Sequence, residues 1–266
     1  MRGINHPATA RLHRMTYVEG QFKFVDTGPP NYEPISFVIP AHNEQNYLAK
    51  TIESVFEACK AVDVQVELIV VNDDSTDQTL AIAQSAGART VNVKLRNIGA
   101  VRNAGAQIAT HPWLFFIDAD TRINEKTLRQ SLDSLANGAI GGGARVDLDS
   151  NNIFWVKRIL YYGVVLGWQI VGGWAAGCFM FCRKKAFEDF GGFDENYFAA
   201  EEMFFSLELK KRGRFKLAQA PVITSARKLE KYSTWELVRF IVYPLARFRD
   251  ALRSRDGLEI LYQDKR

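Results

Sequence analysis

Two aspartates separated by one residue, Asp118-Ala119-Asp120, stand directly after the apolar run Trp113–Ile117. A divalent cation such as Mg2+ or Mn2+ takes one or two carboxylates and completes its shell with substrate phosphates. The pair therefore suits chemistry in which a diphosphate leaves and its growing charge has to be neutralised. Acid-X-acid is common in turns, and the tripeptide gains meaning from the strand that aims it. Two more polar clusters follow apolar runs in the same way: Pro40-Ala41-His42-Asn43-Glu44 and Asn72-Asp73-Asp74-Ser75. A lone acid after a strand forms a turn or caps a helix. Three such clusters point to a ligand, because open α/β sheets bind ligands beyond the carboxyl ends of their strands.

The elements that carry these clusters alternate as strand and helix. Ile35–Ile39 reads as a strand ended by Pro40, and Asn43 as the cap of a helix with Leu48, Ile52, Val55, Phe56 and Cys59 on one face. Val66–Val71 is a run for a strand buried on both faces. Ser75 or Thr76 is expected to cap a helix that runs to Ala86 and is ended by Gly87. Thr90–Val93 is a strand, Ile98–Ala109 a helix, and Trp113–Ile117 the strand leading into Asp118. The alternation predicts an α/β fold with a Rossmann-like, mostly parallel sheet and right-handed crossovers. Further on come a helix at Glu125–Leu135, strands at Ala139–Val146 and Ala175–Phe181, and a helix at Glu202–Arg212 stopped by Gly213. A last strand is expected at Val222–Thr224, and a helical tail from about Ser233. Residues 1–34 read as a poorly patterned extension in which Gly28-Pro29-Pro30 and Pro34 form a linker. The remaining divisions are a domain at 35–228, with halves at 35–122 and 123–228, and a basic amphipathic tail at 229–266.

Composition narrows the function classes. The 266 residues suffice for one large domain or two intimately packed lobes. Hydrophobic and charged fractions of 47% and 24% are those of a globular protein. A net charge of +4 is too mild to indicate nucleic acid. Cys59, Cys178 and Cys182 show no paired spacing and read as core residues in a reducing, cytoplasmic compartment. There is no Walker loop and no Rossmann glycine fingerprint after the first strand. Gly141-Gly142-Gly143 lies inside a strand-like run, where glycines serve packing.

The membrane is a separate question. Met1–Thr16 lacks the apolar stretch of a signal peptide. Ile159–Cys182 is uncharged and lies between Lys157-Arg158 and Arg183-Lys184-Lys185, long enough for a spanning helix. Its glycines, among them Gly172-Gly173, favour a helix, a loop and a buried strand instead. The tail Trp235–Arg255 mixes Trp235, Phe240 and Phe248 with Arg239, Arg247 and Arg249, a pattern for peripheral contact with an anionic inner membrane face. Packing of the same segments on the sheet, with solvated arginines, is the alternative.

From about Ile35 to Lys228 the chain resembles the inverting family 2 glycosyltransferases of the A-type, nucleotide-diphospho-sugar transferase fold. The motifs are Val38-Ile39-Pro40-Ala41-His42-Asn43-Glu44, Val71-Asn72-Asp73-Asp74-Ser75-Thr76-Asp77, Asn97-Ile98-Gly99-Ala100 with Arg102-Asn103-Ala104-Gly105, and Phe116-Ile117-Asp118-Ala119-Asp120. A fifth is Gly191-Gly192-Phe193-Asp194-Glu195 followed by Glu201-Glu202. The resemblance implies a nucleotide-sugar-binding half at 35–122, an acceptor-binding half at 123–228, a UDP- or GDP-type donor, a saccharide or lipid-linked acceptor, and Mn2+ or Mg2+. Pro40, Ala41 and Glu44 would border the nucleoside and Asp73 would bond the base. Arg96 and Arg102 would lie near the base or diphosphate. Asp118 would touch the ribose or orient the site, and Asp120 would bind the metal. Glu201 or Glu202 would be the base that deprotonates the acceptor. Arg227 and Lys228, after the last strand, read either as a cover for the phosphates or as an exposed basic turn. Asp74 stands where the family has glycine, and Glu202 where it commonly has aspartate. The Gln-X-X-Arg-Trp motif of processive synthases is absent, so a single transfer is expected. A nucleotidyltransferase would need a glycine-rich basic loop in place of Pro40–Glu44. A non-catalytic nucleotide-sugar-binding protein is the other alternative.

Overall fold

The run that ends at the first polar cluster is buried from Ile35 to Ala41, as a strand apolar on both sides of its pleat must be. The computed structural model describes residues 13–18, 21–26, 32–150, 155–167, 169, 172–231, 233 and 235. They fall into two units, Met1–Tyr32 and Glu33–Arg266.

The first unit gives two regular strands to a segment that reads as poorly patterned. Strands β1 (His13–Val18) and β2 (Gln21–Asp26) pair antiparallel, with His13 opposite Asp26 and Val18 opposite Gln21.

In the second unit β3 (Ile35–Ala41) has β4 (Val66–Asp73) on one side and β6 (Trp113–Ile117) on the other, both parallel, with β5 (Arg89–Val93) beyond β4. The remaining strands are β7 (Thr121–Arg122), β8 (Gly141–Leu148), β9 (Phe179–Arg183) and β10 (Phe215–Thr224). The order across the sheet is β5-β4-β3-β6-β9-β8-β10-β7. Only β9 and β7 run against the others, so the sheet is mostly parallel as expected. The chain winds outward from β3 to β5 and then returns to β6 on the far side of β3. That reversal opens a crevice at the carboxyl ends of β3 and β6.

The helices are α1 (Leu48–Val62), α2 (Thr79–Ser85), α3 (Ile98–Ile108), α4 (Glu125–Ala136), α5 (Trp155–Leu166), α6 (Lys184–Asp189), α7 (Glu201–Arg212) and α8 (Arg227–Lys231). Leu48, Ile52, Val55 and Cys59 are buried on α1, while Phe56 faces out. Neighbouring residues of β6 point to opposite faces of the sheet. Phe115 packs on Phe37 at 5.0 Å and Phe181 at 5.5 Å, and Phe116 packs on Phe193 at 5.1 Å on the other face.

Several boundaries differ from the sequence reading. β3 runs through Pro40, which pairs with Val71 of β4, while the β3–β6 ladder has already ended at Val38. A proline is tolerated past the end of a ladder. Asn43 does not cap α1: its φ is +54°, and the helix starts after Tyr47 with no side-chain cap. Neither Ser75 nor Thr76 caps α2, which begins after Gln78. β9 starts at Phe179, and β10 extends back to Phe215, with a register shift between Ala218 and Pro221 that accommodates the proline. The uncharged Ile159–Cys182 run divides into the end of α5, a glycine-rich connection and the start of β9. No described helix is long and apolar enough to cross a membrane. The tail at 229–266 lies outside the described residues apart from 229–231, Ser233 and Trp235.

Gly141-Gly142-Gly143 lets β8 fit between β9 and β10. A Cβ on Gly142 would come 1.8 Å from the Lys216 carbonyl oxygen, and one on Gly141 would come 2.6 Å from that of Phe181. Backbone at that distance cannot yield as a flexible side chain can. Gly142→Ala is expected to cost about 2–3 kcal/mol and to lower the thermal midpoint by roughly 4–12 °C. Gly163→Ala, on an exposed turn of α5 with nothing within 4 Å, should leave the midpoint unchanged or raise it. Equal midpoints for the two variants would contradict the packing role.

Candidate functional site

Helix α3 carries a side chain that its amphipathic pattern does not lead one to expect inside. Arg102 is only 2% exposed. Its Nη1 donates to Glu201 Oε1 at 2.6 Å, and its Nη2 to Asp118 Oδ1 and the Gly177 carbonyl, both at 2.9 Å. Burial pulls the pKa of the guanidinium down, but Asp118, Glu201 and Glu202 outweigh it and push the value up. The structure thus sets the guanidinium expected near the base or diphosphate among protein acceptors. Its terminal nitrogens are taken up by protein acceptors, and it supports the site from beneath.

The same helix fixes where Glu201 and Glu202 stand. The Asn97 side chain accepts from Ala100 N, capping α3, and donates to the carbonyls of Glu195 and Tyr197 at 2.9 and 3.1 Å. Asn103 donates to Phe193 O and accepts from Phe193 N, both at 2.9 Å. The segment 193–197 is thus bound to α3 and leads into α7. Ala200, just before α7, has φ +60°. This left-handed conformation costs a non-glycine residue about 1 kcal/mol or more, and it turns the chain so that Glu201 meets Arg102. Glu201 is ion-paired and buried. Glu202 is not paired in this way: burial first, then the adjacent charge of Glu201, push its carboxyl up to about 8. Two neighbouring glutamates thus have different environments, one ion-paired to Arg102 and one whose carboxyl is raised toward the range of proton exchange.

At the other end of the crevice, Arg227 donates from Nη1 to Glu44 Oε2 at 2.7 Å and from Nη2 to Glu44 Oε1 at 2.5 Å. The same Nη2 lies 3.1 Å from Asp120 Oδ2, and the guanidinium sits 4.7 Å from the centre of the Tyr47 ring. The backbone N–H of Ser225 donates to the Asp120 carbonyl, tying the turn after β6 to the end of β10. Lys228 follows on α8, and its side chain lies outside the described residues. Asp118 and Asp120 are close enough to Cys178 that, after burial, their charges raise its thiol pKa further. Among the described residues no group of three or more His, Cys, Asp or Glu could hold a metal ion. A cation here would draw on Asp120 and Asp118 together with phosphate oxygens, a donor set that Mg2+ and Mn2+ accept.

The loop after β4 is built on Asp73. Its Oδ1 accepts from Leu95 N at 2.8 Å and its Oδ2 from Arg96 N at 3.0 Å, which holds Arg96 at φ +51°. Arg96 Nη1 is 2.7 Å from His42 Nε2, and His42 Nδ1 is 2.7 Å from the Asp73 carbonyl oxygen. Arginine only donates, so Nε2 accepts and Nδ1–H donates to the carbonyl. Asp74 adopts φ +56°, so the turn keeps the shape that glycine allows while its carboxylate pairs with Lys94 at 3.1 Å. Pro40 and Ala41 end β3 beside this group, with Ala41 buried. The site residues therefore gather in three linked groups: Arg102, Asp118, Glu201 and Glu202; Glu44, Asp120 and Arg227; and Asp73 with Arg96. His42, Asn97 and Asn103 had been given no role, although all three lie within the motifs. Their polar type next to buried positions was the available signal.

The family model for glycosyl transferase family 2 matches residues 36–191. The chain is 35% identical over 112 residues to 4,4'-diaponeurosporenoate glycosyltransferase of Staphylococcus haemolyticus, covering 39% of this chain and 29% of that protein. It spans about a third of the length of the first curated relatives it matches. Its fold is similar to that of S. aureus TarS 1-349 in complex with UDP-GlcNAc, with a TM-score of 0.57 and 16% identity over 86% of this chain and 70% of that one. It is also similar to the mannosyltransferase PcManGT of Pyrobaculum calidifontis in complex with GDP-Man and Mn2+, with a TM-score of 0.61 and 18% identity over 88% of this chain and 69% of that one. At these identities the likeness is one of fold.

Arg102→Met keeps the bulk of the side chain but leaves Glu201 buried without its counter-charge. It is expected to destabilise the protein by about 3–5 kcal/mol in urea unfolding. A loss below about 1 kcal/mol, the size of an exposed pair, would show that the triad is not what holds these segments together.

Proposed function

The chain belongs to glycosyl transferase family 2, and we propose that it transfers a single sugar from a nucleotide-diphospho-sugar to an acceptor hydroxyl with inversion at the anomeric carbon. The observation that carries this reading is the unequal pair Glu201 and Glu202, joined through Arg102 to Asp118 at the end of β6. A UDP- or GDP-linked donor is supported by the fold shared with proteins solved with UDP-GlcNAc and GDP-Man.

Inverting transfer is one in-line displacement, with acceptor and leaving group held on opposite faces of the sugar. Glu202 is the general base. The acceptor proton passes to its carboxylate, the acceptor oxygen bonds to the anomeric carbon, and the bond to the diphosphate oxygen breaks. Glu201 is committed to Arg102 and positions Glu202 while raising its basicity. Asp118 orients the ribose side of the donor. Pro40, Ala41 and Glu44 border the nucleoside, and Asp73 bonds the base while bracing Arg96. Asp120, with Asp118, would hold Mn2+ or Mg2+, which when bound neutralises charge on the diphosphate. Arg227, beside Asp120, lies at the phosphate end and covers it.

The acceptor is a saccharide or a lipid-linked hydroxyl, met by a cytoplasmic enzyme at the inner membrane face. Supporting this, Trp155 and Ile159, one helical turn apart on α5, are both 65% exposed. Tyr162 on the same helix bonds Asp147 of the acceptor half. Such a surface suits an interface.

Glu202→Gln is expected to lower kcat by about 10²–10⁴-fold with donor affinity retained, while Asp120→Ala should abolish metal-stimulated transfer. Because the base works deprotonated and its pKa is raised, kcat/KM should climb with pH and level off above about 8. A Glu202→Gln enzyme that kept this acid limb would assign the base elsewhere. For the membrane, the full chain should float with anionic vesicles at low salt and be released at high salt. Indifference to vesicles would remove the interfacial reading.

A further inference from the structure

Arg227 is held by the same carboxylates that a cation would need. Its Nη2 lies 2.5 Å from Glu44 Oε1 and 3.1 Å from Asp120 Oδ2, and its Nη1 lies 2.7 Å from Glu44 Oε2. The Tyr47 ring backs the guanidinium at 4.7 Å. Burial lowers its pKa, but the bonds to Glu44 and the charge of Asp120 outweigh this and raise it, so Arg227 stays charged. A dication and a guanidinium cannot both take the Asp120 carboxylate without repelling each other across a few ångströms, in a site where Glu44 and Asp120 side chains are each only 14% exposed.

We propose that Arg227 is the resident counter-ion of the cation site and excludes the divalent cation until a diphosphate arrives. This rests on the reading of Asp120 as the cation ligand. A diphosphate presents planar arrays of oxygens to which a guanidinium bonds bidentately. It therefore offers Arg227 a replacement for Asp120 at the moment it brings phosphate oxygens to complete the cation's shell. Cation and diphosphate then bind as a pair, each favouring the other. The fold supplies the means: Arg227 opens the short α8, directly after the end of β10, and Ser225 is bonded to the turn of Asp120.

The test is Mn2+ binding to the full chain, read from the electron paramagnetic resonance of unbound Mn2+, with and without UDP or GDP. Arg227→Met should bind Mn2+ about tenfold or more tightly than the unaltered protein when no nucleotide is present, equivalent to about 1.4 kcal/mol. The gap should narrow once nucleoside diphosphate is added. Arg227→Lys, which keeps the charge but cannot fork across both carboxylates, should fall between them. It also serves if the methionine variant does not fold. Unchanged or weaker Mn2+ binding in both variants, with Asp120→Asn still abolishing it, would overturn the proposal and leave the cation site standing. Mn2+ bound as well by Asp120→Asn,Arg227→Met as by Arg227→Met would instead overturn the assignment of Asp120 itself.

Discussion

A buried guanidinium must be matched by carboxylates, and most of the site follows from how Arg102 is matched. Three segments distant in sequence converge on it: α3 provides the arginine, the end of β6 provides Asp118, and the start of α7 provides Glu201. A third carboxylate, Glu202, lies within reach of the same field without a guanidinium of its own. Crowding a further negative charge beside an ion pair, at a buried position, raises the cost of keeping it ionised. Burial, and then the charge of Glu201, push the Glu202 carboxyl up. The general base of the proposed reaction is thus defined by the charge balance around Arg102 as much as by its own position.

Arg227 does beside Glu44 and Asp120 what Arg102 does beside Asp118 and Glu201, with one physical difference. Arg102 is sealed beneath Phe193 and Gly177 and cannot exchange partners without exposing Glu201. Arg227 retains about a third of its side-chain exposure and sits on a five-residue helix. One arginine is therefore a fixed part of the frame, and the other is held by contacts that a ligand can replace. The sheet explains the division. Arg102 packs against the parallel half through α3, whereas Arg227 follows the last long strand near the sheet margin.

The parallel half was legible because its strands β3, β4 and β6 are apolar on both faces and end in polar residues. Helix starts were less legible. Asn43 and Ser75 have the composition of caps, yet Ser75 Oγ accepts from Asn43 N, so the two residues bind the β3 and β4 loops together. The hairpin of β1 and β2 was missed although its alternation, as in Gln21–Asp26, was present. In the site, residue types alone could mark Asp118, Asp120 and the glutamates as important. They could not say that Arg102 faces inward or which glutamate is paired, because both depend on contacts between residues about 99 positions apart. The substitution of Asp74 for the family's glycine pointed to an altered turn, but aspartate tolerates the left-handed conformation and the turn persists.

The central claim is that burial, together with the charge of Glu201 locked to Arg102, raises the pKa of Glu202 into the range of a working base. Carbon-13 NMR of glutamate-labelled protein, with the resonance assigned by its loss in Glu202→Gln, measures this without turnover. Glu202 should titrate near 8 in the unaltered protein and shift toward the ordinary glutamate range in Glu201→Gln, where the neighbouring charge is gone. A Glu202 resonance that titrates in the ordinary range from the outset, or one that does not move when Glu201 is neutralised, would contradict the account.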